Sequence, residues 1–150
     1  MIVFLDIDGV LVISKDQKTQ YSEEYHWVFN SKSVRALNHL CEQTKAKIVI
    51  SSAWRRCYPF WELKNILIKE GVKAEIIGVT GAFSPYYRGI EILDWMKAHK
   101  YTGEYLIIDD NIGDISPFHP VAHILHIKNG FDRSGLTMIR VNNYLRGKHV

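Results

Sequence analysis

Residues 2–11 are IVFLDIDGVL: an apolar run leads straight into two carboxylates, Asp6 and Asp8, with Gly9 directly behind. A buried carboxylate is costly unless it is paired, hydrogen-bonded or bound to a metal. The pair therefore either sits on a solvated turn or is placed there for chemistry. Two later stretches follow the same plan. KIVI at 47–50 is followed by Ser51, Ser52, Ala53, Trp54, Arg55 and Arg56, and YLII at 105–108 by Asp109, Asp110 and Asn111. If these runs share one sheet, its rim collects four acids, a hydroxyl and two arginines. Four such acids repel one another at neutral pH. A hard divalent cation such as Mg²⁺ relieves the repulsion, because it prefers oxygen ligands and often takes only one or two carboxylates.

Positioning these residues requires strands that end together. Strands are expected at Ile2–Ile7, Lys47–Ile50, Ala74–Val79, Tyr105–Ile108 and Val121–Ile127. Three are short apolar runs without clean alternation, the pattern of strands covered on both faces. Helices are expected between them. Lys32–Glu42 carries Val34, Leu37 and Leu40, with Ser31 or Ser33 as cap. Phe60–Glu70 carries Leu63, Ile66 and Leu67 and closes at Gly71. Gly89–His99 carries Ile90, Leu93 and Met96, and Leu136–Arg146 carries Ile139 and Tyr144. The alternation predicts an α/β fold, a Rossmann-like three-layer sandwich around a central, mostly parallel five-stranded sheet. Ligands bind such sheets beyond the carboxyl ends of the strands. No glycine fingerprint follows the first strand, which excludes a plain dinucleotide site.

With 150 residues the chain has the length of one domain, 47% hydrophobic and 23% charged. Its net charge of +3 is compatible with anionic substrates. Cys41 and Cys57 show no metal spacing and are expected as reduced thiols. Asp6 interrupts the first apolar run and no basic segment precedes it, which argues against a secretory signal. No apolar stretch reaches the ~18 residues of a membrane span, so no membrane partner and a cytoplasmic location are expected.

DxDG after the first strand, Ser after the second and DD after a later one, in this order, resemble the haloacid dehalogenase superfamily of phosphohydrolases over Asp6 to Asp114. The runs KIVISSAWRR and GLT are similar to a small capless branch that includes RNA-repair-associated members. The resemblance implies Asp6 as nucleophile, forming an aspartyl-phosphate. It implies Asp8 as general acid, then as base for the hydrolytic water, with Gly9 allowing a sharp turn. An acid at position 8 points to phosphate esters rather than dehalogenation or phosphonate cleavage. Mg²⁺ would be held by Asp6, the backbone carbonyl of Asp8 and an acid after the fourth strand. Asp110 is favoured for that place, with Asp109 supporting it and Asp114 further out. Ser51, with Ser52 competing, would hydrogen-bond a phosphoryl oxygen. Arg55 or Arg56 would clamp phosphate, Arg55 being preferred as nearer the motif. The superfamily's usual lysine is missing. Arg88 stands in its place, on the unfavourable side of a helix dipole, as the substitute charge neutraliser.

The seven histidines form no zinc pattern, and His123 and His126 would face opposite sides of a strand. Tryptophans 27, 61 and 95 are expected in packing. Trp54, between Ser51 and Arg55, is the one expected to touch substrate. Neither interval, Gly9 to Ile50 or Arg56 to Arg88, has room for a folded cap, so one capless domain over 1–150 with an open site is expected. Trp54-Arg55-Arg56 and Tyr86-Tyr87-Arg88 combine aromatic and basic groups, as sites for single-stranded nucleic acid do. The expected partner is a phosphorylated substrate such as a nucleic-acid end or a nucleotide; a phosphoprotein is the alternative. A homo-oligomer is compatible with the residues. Two rival classes use the same acids: a regulatory metal-binding receiver and a metal-dependent nuclease. A receiver would carry an aspartate after its third strand, where this chain has Gly78-Val79-Thr80-Gly81.

Overall fold

The computed structural model describes residues 1–13, 28–82, 87–128 and 134–148. Its strands are β1 (Ile2–Leu5), β2 (Lys47–Ile50), β3 (Ile76–Val79), β4 (Tyr105–Asp109) and β5 (Ile124–His126). Its helices are α1 (Ser31–Thr44), α2 (Phe60–Lys69), α3 (Arg88–Ala98) and α4 (Met138–Lys148). The strands form one sheet of order β3-β2-β1-β4-β5, every pair parallel. From β1 the chain steps outward to β2 and β3, then returns to β4 on the other side. The switch point where ligands collect therefore lies beside the end of β1.

Strand composition follows from this burial. β1 is covered on both faces, so all four of its residues are apolar and buried. Val3 and Leu5 pack with Leu37 of α1, Leu63 of α2 and Val141 of α4. Ile2 and Phe4 face the other layer, with Val49, Ile107 and Ile92 and Trp95 of α3. Phe4 meets Trp95 edge to face, ring centres 5.5 Å apart. Three layers result, and among the described helices α3 covers the second face.

Several expectations are corrected. Val121–His123 is a 3₁₀ turn rather than strand: Pro120 starts it, and Val121 is 81% exposed. His123 therefore lies outside β5. The cap of α1 is Asn30, whose Oδ1 accepts from Ser33 N at 3.0 Å, not a serine. On α3 the buried face is Gly89, Glu91, Ile92 and Trp95, while Leu93 is exposed. On α4, Val141 is buried and Ile139 faces outward. Trp61 is exposed rather than packed. Trp27, Tyr86 and much of the interval after Gly9 lie outside the described residues.

Candidate active site

Sheet register builds the site. Leu5 lies opposite Ile50 on one side and Ile108 on the other. The ladder continues one step: Ser51 N donates to Leu5 O and Asp6 N to Ile108 O, both at 3.0 Å. Thr80 N donates to Ile50 O at 3.0 Å. The carboxyl rim therefore reads Thr80, Ser51, Asp6, Asp109 in one line, on the face that α3 covers.

Beyond Asp6 the chain turns tightly. Gly9, at φ 74°, donates its N–H to Val12 O at 2.8 Å. This turn holds Asp8, whose Oδ2 accepts from Trp54 Nε1 at 3.0 Å. Asp6 Oδ1 accepts from Ile7 N at 2.8 Å. Oxygens of Asp6, Asp109 and Asp110 all lie within 4.8 Å of one another.

Arg88 is the cation among these acids. Its Nη1 is 2.7 Å from Asp109 Oδ2 and 3.6 Å from Asp6 Oδ2, and its Nε is 3.5 Å from Asp114 Oδ2. Asp114 also accepts from Arg88 N at 2.9 Å. It thereby satisfies an end of α3 that no side chain of its own caps, and offsets the unfavourable dipole. The close approach depends on Gly89. A Cβ there would lie 2.8 Å from Asp114 O and 2.8 Å from the Phe118 ring.

Burial dominates the electrostatics. It pushes the Asp6 carboxyl well above the usual range; Asp109 adds to the rise, and Arg88 opposes it. Burial likewise raises Asp109 to about 7, against the pull of Arg88. Burial works to lower Arg88, but Asp109, Asp6 and Asp114 outweigh it and keep the guanidinium charged. Both Asp109 oxygens are engaged, one by Arg88 and one by Asn111 N at 2.8 Å. Asp110 instead lines a cavity of about 430 Å³ with Arg55, Arg56, Arg88 and Asp114. His126 Nε2 lies 3.1 Å from Asp110 O and so touches the same loop.

The two serines part company. Ser52 Oγ is buried, accepts from Trp54 N at 3.3 Å and caps the 3₁₀ turn Ala53–Arg56. Ser51 Oγ is buried and makes no hydrogen bond among the described residues, and neither does Thr80 Oγ1 beside it. A buried hydroxyl without a partner is costly, and a phosphoryl oxygen next to Asp6 would relieve Ser51.

Trp54 and Arg55 also differ from expectation. Trp54 is 5% exposed, so its ring offers no platform for a base; its indole N–H serves Asp8 instead. Arg55 is no free clamp. Its Nη1 donates to Ser51 O at 2.8 Å and Ser52 O at 2.7 Å, its Nε to Gly81 O at 3.1 Å, and its Nη2 pairs with Glu91. Exposed Arg56 is the cavity's other arginine of that turn. Glu91 was not anticipated. An acid at the first turn of a helix is ordinary by dipole alone, and only its place between Gly89 and Ile92 on the buried face signals more.

No helix among the described residues is long and apolar enough to cross a membrane. No curated protein and no solved structure matches the chain. The family model described as the HAD domain in Swiss Army Knife RNA repair proteins matches residues 2–138. The parallel sheet, the acids at its switch point and this match over nearly the whole chain agree, and the chain belongs to that HAD domain family.

Proposed function

We propose that the protein is a Mg²⁺-dependent phosphatase that removes terminal phosphate from nucleic-acid ends, RNA above all, through an aspartyl-phosphate on Asp6. The observation that carries this reading is the rim line itself. Asp6 stands between the hydroxyl of Ser51, which has no hydrogen-bond partner among the described residues, and the acid Asp109, with Asp8 held one turn beyond. The RNA substrate class rests on the family's description, which names RNA repair, and on the basic cavity edge of Arg56 and Arg88.

In this reading Ser51 donates a hydrogen bond to a phosphoryl oxygen and holds phosphorus in line with the Asp6 carboxylate. An Asp6 oxygen forms the new bond to phosphorus as the ester P–O bond breaks. The Asp8 carboxyl gives its proton to the departing ester oxygen, which leaves as a hydroxyl. Asp8, now ionised, takes a proton from water as that water displaces Asp6 and releases phosphate. The all-oxygen donors of Asp6 and Asp110, with the Asp8 carbonyl, suit a hard cation. Bound Mg²⁺ supplies positive charge against the phosphoryl oxygens. Arg88 pulls the Asp109 carboxyl down against burial and orients it beside them.

The test is Mg²⁺-dependent phosphate release from an aryl phosphate, nucleotides, and oligonucleotides phosphorylated at either end, with Asp6→Asn alongside. The proposal expects release that Asp6→Asn lowers by roughly 10³-fold or more, with an end-phosphorylated RNA ranked first. Equal kcat/KM on RNA ends and the aryl phosphate would remove the nucleic-acid part. Release unaffected by Asp6→Asn would remove the mechanism.

A further inference from the structure

Trp54 belongs to the second strand's loop, yet its one polar atom is spent on the first strand's turn. Its indole Nε1 donates to Asp8 Oδ2 at 3.0 Å. The ring itself cannot drift. It is 5% exposed, meets Phe29 edge to face at 5.7 Å and lies tilted against Tyr58 at 5.8 Å. Its backbone is pinned as well: Trp54 N donates to Ser52 Oγ, and Trp54 O accepts from Cys57 N and Tyr58 N, each at 3.0 Å. Asp8 by contrast is an exposed residue on a tight turn. Among the described residues its carboxylate makes no other hydrogen bond than this one. An indole N–H can only donate, so the oxygen it occupies is held as an acceptor.

We infer that Trp54 is a positioning residue for the general acid: it fixes the Asp8 carboxyl in one rotamer and claims Oδ2, so that Oδ1 carries the proton given to the leaving oxygen. The inference rests on the proposed phosphatase reading. It explains why a bulky indole is buried here. A phenylalanine would keep an aromatic ring against Phe29 and Tyr58 but could not select an oxygen. The role of Trp54 is read most clearly in the first half-reaction. Proton donation matters most when the leaving group is poor, whereas a nitrophenolate departs without help.

The experiment measures kcat/KM for Trp54→Phe against a series of aryl phosphates, from p-nitrophenyl phosphate to phenyl phosphate, and against an alkyl phosphate. Because kcat/KM stops at the first phosphoryl transfer, it reports only the donation step. Trp54→Phe is expected to lower kcat/KM roughly tenfold on the alkyl phosphate, a fraction of what general acid catalysis supplies, and little on p-nitrophenyl phosphate. Repeated in an Asp8→Asn background, the substitution should have no leaving-group dependence. Phe29→Leu, which loosens the packing but keeps the N–H, should affect all substrates alike. Should Trp54→Phe fail to fold, benzothienylalanine at position 54 keeps the bicyclic shape and replaces N–H by sulfur. An equal fall on every substrate, or a dependence that persists with Asp8→Asn, overturns the inference. If Asp8→Asn itself shows no leaving-group dependence, the phosphatase mechanism fails first, and the role of Trp54 falls with it.

Discussion

Arg88 carries a heavier load than any other side chain of the rim. It lies 2.7 Å from Asp109 and within 4 Å of Asp6 and Asp114, and the acids hold it charged. Arg88→Ala should lower turnover by roughly 10²-fold, on the scale of losing one fixed charge in a dry site. Arg88→Lys should recover part of it, since a lysine keeps the charge but loses the fork that reaches Asp109 and Asp114 together. Steady-state kinetics of the two variants check this. The raised Asp109 carboxyl gives a pH prediction of definite sign. Its folded value of about 7 lies above the ordinary 3.8, so the folded state binds more protons between these values. Its contribution to stability is full below about pH 4 and is lost as pH rises towards 7. Metal-free protein should therefore lose melting temperature across that window. Asp109→Asn should flatten the loss, and Mg²⁺ at pH 7.5 should raise the melting temperature. Calorimetry at several pH values with and without Mg²⁺ decides it. The places of Asp6, Ser51 and Arg88 at one rim were legible in the sequence because each follows or faces a strand end. The contact of Trp54 with Asp8 was not, because only the fold brings an indole from one strand loop to a carboxylate on another.

At the scale of elements, α3 is the lever of the site. Gly89 lets it approach Asp114 and Phe118, and Glu91 fastens it through Arg55 to the ends of β2 and β3. Gly89→Ala should push the helix off and lower activity more than stability. The added Cβ meets the Asp114 backbone oxygen at 2.8 Å, and Arg88 is the adjacent residue of the helix. Glu91→Ala leaves the guanidinium of Arg55 buried without its partner. Removing one member of such a pair costs about 3–5 kcal/mol, measurable by urea unfolding, whereas Glu91→Gln should cost less. The strands were legible from apolar runs alone, since both faces of the sheet are covered. The face of α3 was not. Its buried side includes glutamate, and apolar spacing drew attention to Leu93, which is exposed. The segment Val121–His123 looked like strand by composition, but Pro120 turns it first.

For the whole molecule, the sheet order puts the two halves of the chain on either side of β1, and the rim acids meet where they part. A sequence of short motifs could reveal this because each motif is tied to a strand end, and parallel strands end on one side. What the motifs could not reveal is which acid is engaged and which faces the cavity, as with Asp109 and Asp110; that depends on the reach of Arg88 from another element. The proposed mechanism requires covalent phosphorylation of one of these acids. Its most direct test is to quench the protein with borohydride during turnover of an end-phosphorylated oligonucleotide and map the digest by mass spectrometry. An aspartyl-phosphate is reduced to homoserine, and that mass change is expected at Asp6 and nowhere else. Phosphate release without homoserine at Asp6, or with it at another aspartate, would rule out Asp6 as the nucleophile.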